Sequence, residues 1–90
     1  MTGPAWQVVA SRRFRRDLSR LPGSVAVAVV EFVTGALPDN PERLSKPLVG
    51  ELSGLRSARR GDYRVLFELD DAAHSLVLIR VAHRSHVYRP

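Results

Sequence analysis

The chain has 90 residues, of which 44% are apolar and 26% charged, so we expect residues 1–90 to fold as a single domain. It has no cysteine, which excludes disulfides, thiolate metal sites and a catalytic cysteine. The formal net charge is +5, from thirteen arginines, one lysine and nine acidic residues, and composition alone is compatible with either a polyanionic partner or general solubility.

The N-terminus lacks the basic start, apolar run and cleavage site of a signal peptide. The longest apolar run, residues 25–30, is far too short to span a bilayer. We therefore expect a cytoplasmic protein with no membrane association.

The first part of the chain predicts a strand followed by a basic amphipathic helix. Residues 6–10 form a short apolar run, and Ser11 can cap a helix over about residues 12–20. Phe14, Leu18 and Leu21 recur at helical spacing and form one apolar stripe. The remaining positions are covered by arginines, namely Arg12, Arg13, Arg15, Arg16 and Arg20.

A second helix is predicted over residues 25–37, after a break at Pro22 and Gly23. Its Val-Ala-Val-Ala opening also fits a strand, but its length favours a helix. The apolar face would hold Val25, Val29, Phe32, Val33 and Ala36. The helix would end at residues 38–41, and the two helices would form an antiparallel hairpin.

The second half of the chain predicts a three-stranded antiparallel meander. Residues 41–54 contain two prolines and two glycines, which leaves room for one helical turn before an extended segment. After this, Tyr63, Val65, Phe67 and Leu69 alternate with other residues at period two, as do Val77, Ile79 and Val81. The dipeptide at residues 61–62 suits a type II′ hairpin turn. We predict an α+β fold with the helices packed on one sheet face.

That hairpin would place like charges side by side. Arg60 would lie opposite Tyr63 and Arg59 opposite Arg64, and directly opposed like charges are destabilising. If Phe67 paired with Val77, Arg80 would also lie opposite Arg64. The resulting arginine row would face away from the helices, where a bound phosphate would convert repulsion into attraction. The alternative is that carboxylates pair with the arginines.

The C-terminal stretch AHRSHVYRP, residues 82–90, follows the last predicted strand. It brings Arg84, two histidines and Tyr88 next to the arginine row. Histidine can move a proton near neutral pH, and tyrosine can donate one or stack on a base. In isolation the stretch would be a polar tail, but beside the row it is a candidate active site.

Two segments, LSGLRSARRGDYRVLFELDD and LIRVAHRSHVYR, closely resemble the RelE toxins of the RelE/ParE superfamily of toxin–antitoxin systems. The likeness extends upstream through KPLVGELSGL to the predicted helices and thus covers nearly the whole chain. The resemblance implies a RelE-like fold and an mRNA endonuclease that acts in the decoding site of the ribosome, next to its rRNA. It also implies a cognate antitoxin, RelB-like or Phd-like, in a hetero-oligomeric complex.

In this family a 2′-hydroxyl attacks the adjacent phosphate, and no metal or cofactor is expected. Many members carry lysines on the strand before the turn, where this chain has Leu, Arg, Ser and Ala at residues 55–58. His83 or His86 would then take over proton transfer. The catalytic residues implied by the resemblance are Arg59, Arg64, Arg84, Tyr88 and His83.

Further cations are candidate RNA contacts: Arg60, Arg80, Lys46, Arg12, Arg13 and Arg16. For Lys46 and the helix arginines, the alternative is an ordinary solvated surface. The spacing of His83 and His86 resembles a metal-ligand pair, but no further ligands accompany it, so no metal is expected. Two other functions remain open, a ParE-like inhibitor of DNA gyrase and an inactive toxin that serves as a binding module.

Overall fold

In the computed structural model, which describes residues 4–88, five strands form one mixed sheet in the order β1-β5-β4-β3-β2. Parallel pairing joins β1 to β5, and the other neighbouring strands are antiparallel. The strands are β1 (Gln7–Ala10), β2 (Ser45–Pro47), β3 (Arg56–Arg60), β4 (Tyr63–Asp70) and β5 (Ser75–His83). The predicted meander is confirmed as β3-β4-β5, while the pairing of β1 and β2 at its edges was not predicted. Residues 1–3 and 89–90 of the predicted single domain lie outside the described range.

The helices α1 (Arg12–Ser19) and α2 (Gly23–Thr34) follow β1, and a short helical turn, α3 (Ala36–Asp39), comes after Gly35. Ser11 caps α1 as predicted, because its Oγ accepts a hydrogen bond of 3.1 Å from the backbone N–H of Phe14. The second predicted helix is interrupted at Gly35, where an added Cβ would lie 2.8 Å from the carbonyl oxygen of Glu31. Only glycine fits this break without displacement of the backbone.

The core lies between the helices and one face of the sheet, as predicted. Phe14 from α1 and Val29 and Val33 from α2 are buried there. The sheet contributes Ala58, Val65, Phe67, Leu76, Leu78 and Val81. Ala36, which was predicted to face inward, is exposed because the chain turns at Gly35 before reaching it. The other sheet face, called the open face below, has no α-helix packed on it within residues 4–88 and is partly covered by a 3-10 turn, Gly50–Leu52.

A bulge in β5 makes the predicted register of the last strand wrong. Leu66 pairs with Arg80 and Phe67 with Leu78, so Ile79 is an extra residue without a partner in β4. Before the bulge Leu76 and Leu78 face the core, instead of the predicted Val77 and Ile79. The predicted pairing of Arg64 with Arg80 is therefore wrong as well, and Arg64 lies opposite Ala82.

The bulge is held by polar groups of α1 and its cap. The Ser11 hydroxyl donates a hydrogen bond of 3.0 Å to the carbonyl oxygen of Ile79. The Asp17 carboxylate accepts one of 3.1 Å from the backbone N–H of Val81, and its Oδ2 lies 4.0 Å from the Nε of Arg80. Ser11 and Asp17 thus bond backbone groups of β5 that the bulge takes out of the regular strand ladder. Since both residues lie far from β5 in the sequence, the alternation of apolar residues within β5 did not predict the bulge.

Candidate functional site

Arg59 and Arg64 lie directly opposite each other on the open face, as predicted. Gly61 has φ 60°, which suits the first central position of the predicted type II′ turn. Arg64 Nη1 donates hydrogen bonds to the carbonyl oxygens of Gly61 and Tyr63, at 3.3 and 3.2 Å. Within residues 4–88 neither arginine is ion-paired with a carboxylate, so the alternative explanation for the row finds no support there.

The arginine pair forms part of a groove of about 520 Å³, which we call the basic groove. Its four cationic residues are Arg43, Lys46, Arg59 and Arg64. The other lining residues, all neutral, are Leu44, Ser45, Pro47, Leu48, Ser57 and Tyr88. A concave surface with four cations and no acidic lining residue is suited to an anionic ligand.

Lys46 reaches this groove because β2 pairs with β3. The register sets Lys46 opposite Ser57, and Ser57 in turn opposite Leu66 of β4. Arg59 and Arg64 form the next row of the same face, about 7 Å further along the strands. Lys46 is thus part of the groove rather than an isolated loop lysine.

Arg43 belongs to the same groove and was missed by the sequence analysis. It is exposed in the turn just before β2. The sequence around that turn is rich in proline and shows no alternation of apolar and polar residues from which a strand could be predicted. The only signal would have been the pairing of the three-residue β2 with β3, which brings the preceding turn alongside Arg59.

The C-terminal turn folds back over the open face and delivers Tyr88. Backbone N–H groups of His86 and Val87 donate to the carbonyl oxygen of His83, at 2.8 and 3.0 Å, and close the turn. Val87 is only 1% exposed and lines a second, mainly apolar groove with Leu66 and Ile79. Tyr88 lines both grooves, and its hydroxyl donates a hydrogen bond of 3.3 Å to Ser57 Oγ.

His83 does not line the basic groove. It pairs with Tyr63, so its ring lies on the helix-facing side of the sheet, 5.5 Å from the Tyr63 ring and nearly perpendicular to it. Its Nδ1 accepts a hydrogen bond of 3.2 Å from the backbone N–H of Ser85, and the Ser85 hydroxyl lies 2.8 Å away. The His86 ring is 6.2 Å from that of His83. His83 therefore orders the start of the C-terminal turn.

The other predicted cations are spread over the molecule. Arg60 lies opposite Tyr63, on the helix-facing side. Arg84 is exposed directly after β5, and its backbone N–H donates to the Asp62 carbonyl oxygen at 2.8 Å. Arg80 is close to Asp17 and, like Arg13, lines the apolar groove. Arg12 and Arg16 are exposed on α1, away from both grooves.

Residues 4–88 contain neither a metal-binding cluster nor a membrane-spanning helix. No cluster of three or more histidine, cysteine or acidic side chains is arranged to hold a metal ion. No helix in that range combines the length and hydrophobicity needed to cross a membrane.

Known proteins with related sequences belong to toxin–antitoxin systems. The family model described as "ParE toxin of type II toxin-antitoxin system, parDE" matches residues 8–88. Toxin RelE of Mycobacterium tuberculosis is 51% identical over 84 residues, which cover 93% of this chain and 87% of that protein. Toxin RelG of the same species is 51% identical over 75 residues, 83% of this chain and 86% of that protein.

Solved structures give the same picture of the fold. A RelBE toxin–antitoxin complex from Mycobacterium tuberculosis matches with a TM-score of 0.87 and 46% identity, over 90% of this chain and all of that one. The isolated RelE toxin of E. coli matches with a TM-score of 0.71 over 88% of this chain and 84% of that one. Its identity is 14%, so this second likeness concerns the fold alone.

Proposed function

Because the chain belongs to the RelE/ParE superfamily of toxins of type II toxin–antitoxin systems, we propose that it is a ribosome-dependent mRNA endonuclease. The observation that carries this proposal is the basic groove, where four cations from three segments surround Tyr88 without an acidic lining residue. This groove has the charge and the concave shape to hold the backbone of a single RNA strand.

The reaction we propose is attack by the 2′-hydroxyl of one nucleotide on the phosphate that links it to the next. The 2′-hydroxyl gives up its proton as its oxygen bonds to phosphorus, the bond from phosphorus to the 5′-oxygen breaks, and the 5′-oxygen takes up a proton, which leaves a 2′,3′-cyclic phosphate and a free 5′-hydroxyl. Negative charge builds up on the phosphorane oxygens, and donors already in place stabilise it. We assign this stabilisation to Arg59 and Arg64, whose guanidinium groups can each form two parallel bonds to phosphate.

The remaining cations would bind the flanking RNA backbone. Lys46 and Arg43 lie along the β2 side of the groove, where a neighbouring phosphate would pass. Arg84 is exposed at the base of the C-terminal turn, and we assign it a phosphate next to the scissile one. This division separates charge stabilisation at the reacting phosphate from general binding of the strand.

Proton transfer is assigned to Tyr88 in preference to His83. Tyr88 as a whole is 52% exposed and lines the groove, so its phenol can contact a reacting nucleotide or stack on its base. The His83 ring packs against Tyr63 on the other side of the sheet. His83 would then affect cleavage only indirectly, by ordering the C-terminal turn that carries Tyr88.

The partner we propose is a RelB-like antitoxin in a hetero-oligomeric complex, as in the related complex from Mycobacterium tuberculosis. An acidic antitoxin segment placed over the basic groove would block RNA and neutralise an exposed surface of a chain with net charge +5. The site of action on translating ribosomes would be in the cytoplasm.

The proposal is tested by cleavage of ribosome-bound mRNA with Arg59→Ala and Arg64→Ala variants. We expect each to lower the rate on the order of 100-fold, because each removes a donor to the developing charge. Arg20→Ala is the matched control, since Arg20 is exposed at the end of α1 on the opposite side of the sheet. Near-parental rates in folded Arg59 and Arg64 variants would contradict the assignment, and a DNA-damage response without mRNA cuts would indicate a gyrase inhibitor instead.

A further inference from the structure

Tyr88 is held at two points, through the preceding residue, Val87, and through its own hydroxyl. The preceding residue, Val87, is 1% exposed and lines the apolar groove beside Leu66. The Tyr88 hydroxyl donates to Ser57 Oγ at 3.3 Å, while the residue as a whole is 52% exposed. Within residues 4–88, this is the one hydrogen bond that the Tyr88 side chain forms.

Ser57 is well suited to act as a fixed acceptor. It is the second residue of β3, which is paired on both sides, with Lys46 on β2 and Leu66 on β4 as the neighbours of Ser57. It is partly buried, and its side chain lies on the same face as Arg59, two residues further along the strand. A serine on a doubly paired strand can define the position of a phenol oxygen far better than solvent can.

We propose that Ser57 is a positioning residue, which acts on RNA cleavage by holding the Tyr88 phenol above the basic groove. This inference rests on the proposed function and adds a residue to it. Removal of the Ser57 hydroxyl should lower the cleavage rate at saturating mRNA. The mRNA concentration that gives half of the maximal rate should stay nearly unchanged, because the cations bind the RNA. Loss of one such hydrogen bond corresponds to a decrease of about fivefold to tenfold in rate.

The cleanest pair of variants is Ser57→Thr and Ser57→Val. The two side chains have the same shape and both suit a strand, so they differ mainly in the hydroxyl. We expect Ser57→Thr to cleave ribosome-bound mRNA within about twofold of the parent, and Ser57→Val about fivefold to tenfold more slowly. Ser24→Ala, in an exposed position on α2, controls for loss of a serine elsewhere.

A double-mutant cycle shows whether Ser57 acts through Tyr88. If it does, Ser57→Val combined with Tyr88→Phe should be no slower than Tyr88→Phe alone, because the phenol is already gone. Additive losses would overturn the inference and make Ser57 an independent contributor. Equal rates for Ser57→Thr and Ser57→Val would overturn it as well.

The outcomes separate this inference from the proposed function. Slow cleavage by Tyr88→Phe together with a parental rate for Ser57→Val would overturn the positioning role and leave the nuclease intact. No ribosome-dependent cleavage by the parent chain would overturn the proposed function, and the positioning role with it. A slow Ser57→Val variant, rescued by Ser57→Thr and not additive with Tyr88→Phe, supports both.

Discussion

At the scale of single residues, Arg59 and Arg64 supply two of the four cations of the basic groove and lie directly opposite each other. Directly opposed like charges cost a sheet stability, and no carboxylate among residues 4–88 pairs with either side chain. Bonds from Arg64 to the carbonyl oxygens of the hairpin turn offset part of this cost. The arrangement is unfavourable for the free protein and favourable once a phosphate lies between the guanidinium groups.

This argument predicts that Arg59→Thr stabilises the protein. Removal of one charge ends the repulsion, and threonine suits a strand, so the free energy of unfolding should rise by about 0.5 kcal/mol at low salt. Urea denaturation at low and high salt measures the effect, which should shrink as salt screens the pair. Arg60→Thr is the control, because Arg60 lies opposite Tyr63. An equal gain for both variants, or a loss for Arg59→Thr, would argue against the repulsion.

At the scale of elements, the C-terminal turn determines whether the groove is complete. Its backbone is closed on His83, and a single apolar side chain, Val87, anchors it in the apolar groove. Tyr88 follows Val87 directly, so the position of its side chain depends on this anchor. Order in this turn is therefore a condition for a phenol in the groove.

Val87→Ala should weaken the anchor. Loss of two buried methyl groups should lower the free energy of unfolding by about 1 to 2 kcal/mol, and RNA cleavage should slow because Tyr88 is less well held. Val27→Ala makes the same substitution at a position that is 57% exposed on α2, and should be near neutral in both measurements. Urea denaturation and cleavage rates would be compared for the two variants. Indistinguishable results would show that Val87 is not an anchor.

The elements also differ in how far the sequence predicted them. The hairpin of β3 and β4 was predictable, because period two and the Gly-Asp turn are both local signals. The bulge at Ile79 was not, since it depends on Ser11 and Asp17, more than sixty residues away. The bulge removed Arg80 from the predicted row and gave it Asp17 as a neighbour.

Part of the candidate site was hidden for the same reason. The three-residue β2 lies among prolines and is formed only by pairing with β3, so neither Arg43 nor the place of Lys46 in the groove was evident. The face of the sheet on which the His83 ring lies depends on the register of β5 after the bulge, where His83 pairs with Tyr63. Arg59 and Arg64 were predicted from local alternation and the family resemblance, and Tyr88 from the C-terminal stretch and the same resemblance; the structure places all three in the basic groove.

At the scale of the whole molecule, the net charge of +5 is concentrated on two separate surfaces. One is the basic groove on the open face, and the other is the exposed side of α1, a helix that packs against β5. Ribosomal RNA offers phosphates on many sides of a bound protein. We propose that the α1 surface binds the ribosome, while the basic groove holds the RNA strand that is cut.

Charge reversal on α1 separates these roles. We expect the combined substitution of Arg12, Arg13 and Arg16 by glutamate to weaken ribosome binding and to flatten its salt dependence, because fewer counterions are released. The variant should fold, since all three side chains are exposed and glutamate at positions 12 and 13 suits the first turn of the helix. Binding to ribosomes would be measured over a range of salt concentrations. An unchanged slope would mean that α1 has an ordinary solvated surface.

The most direct test of the account is the chemistry of the cut ends. The purified chain would be added to translating ribosomes and, separately, to free mRNA, and the products mapped by reverse transcription and by their terminal groups. We predict cuts confined to ribosome-bound message, each with a 5′-hydroxyl and a cyclic phosphate. No cuts from a folded, antitoxin-binding chain, or cuts that carry a 5′-phosphate, would contradict the proposed use of the basic groove.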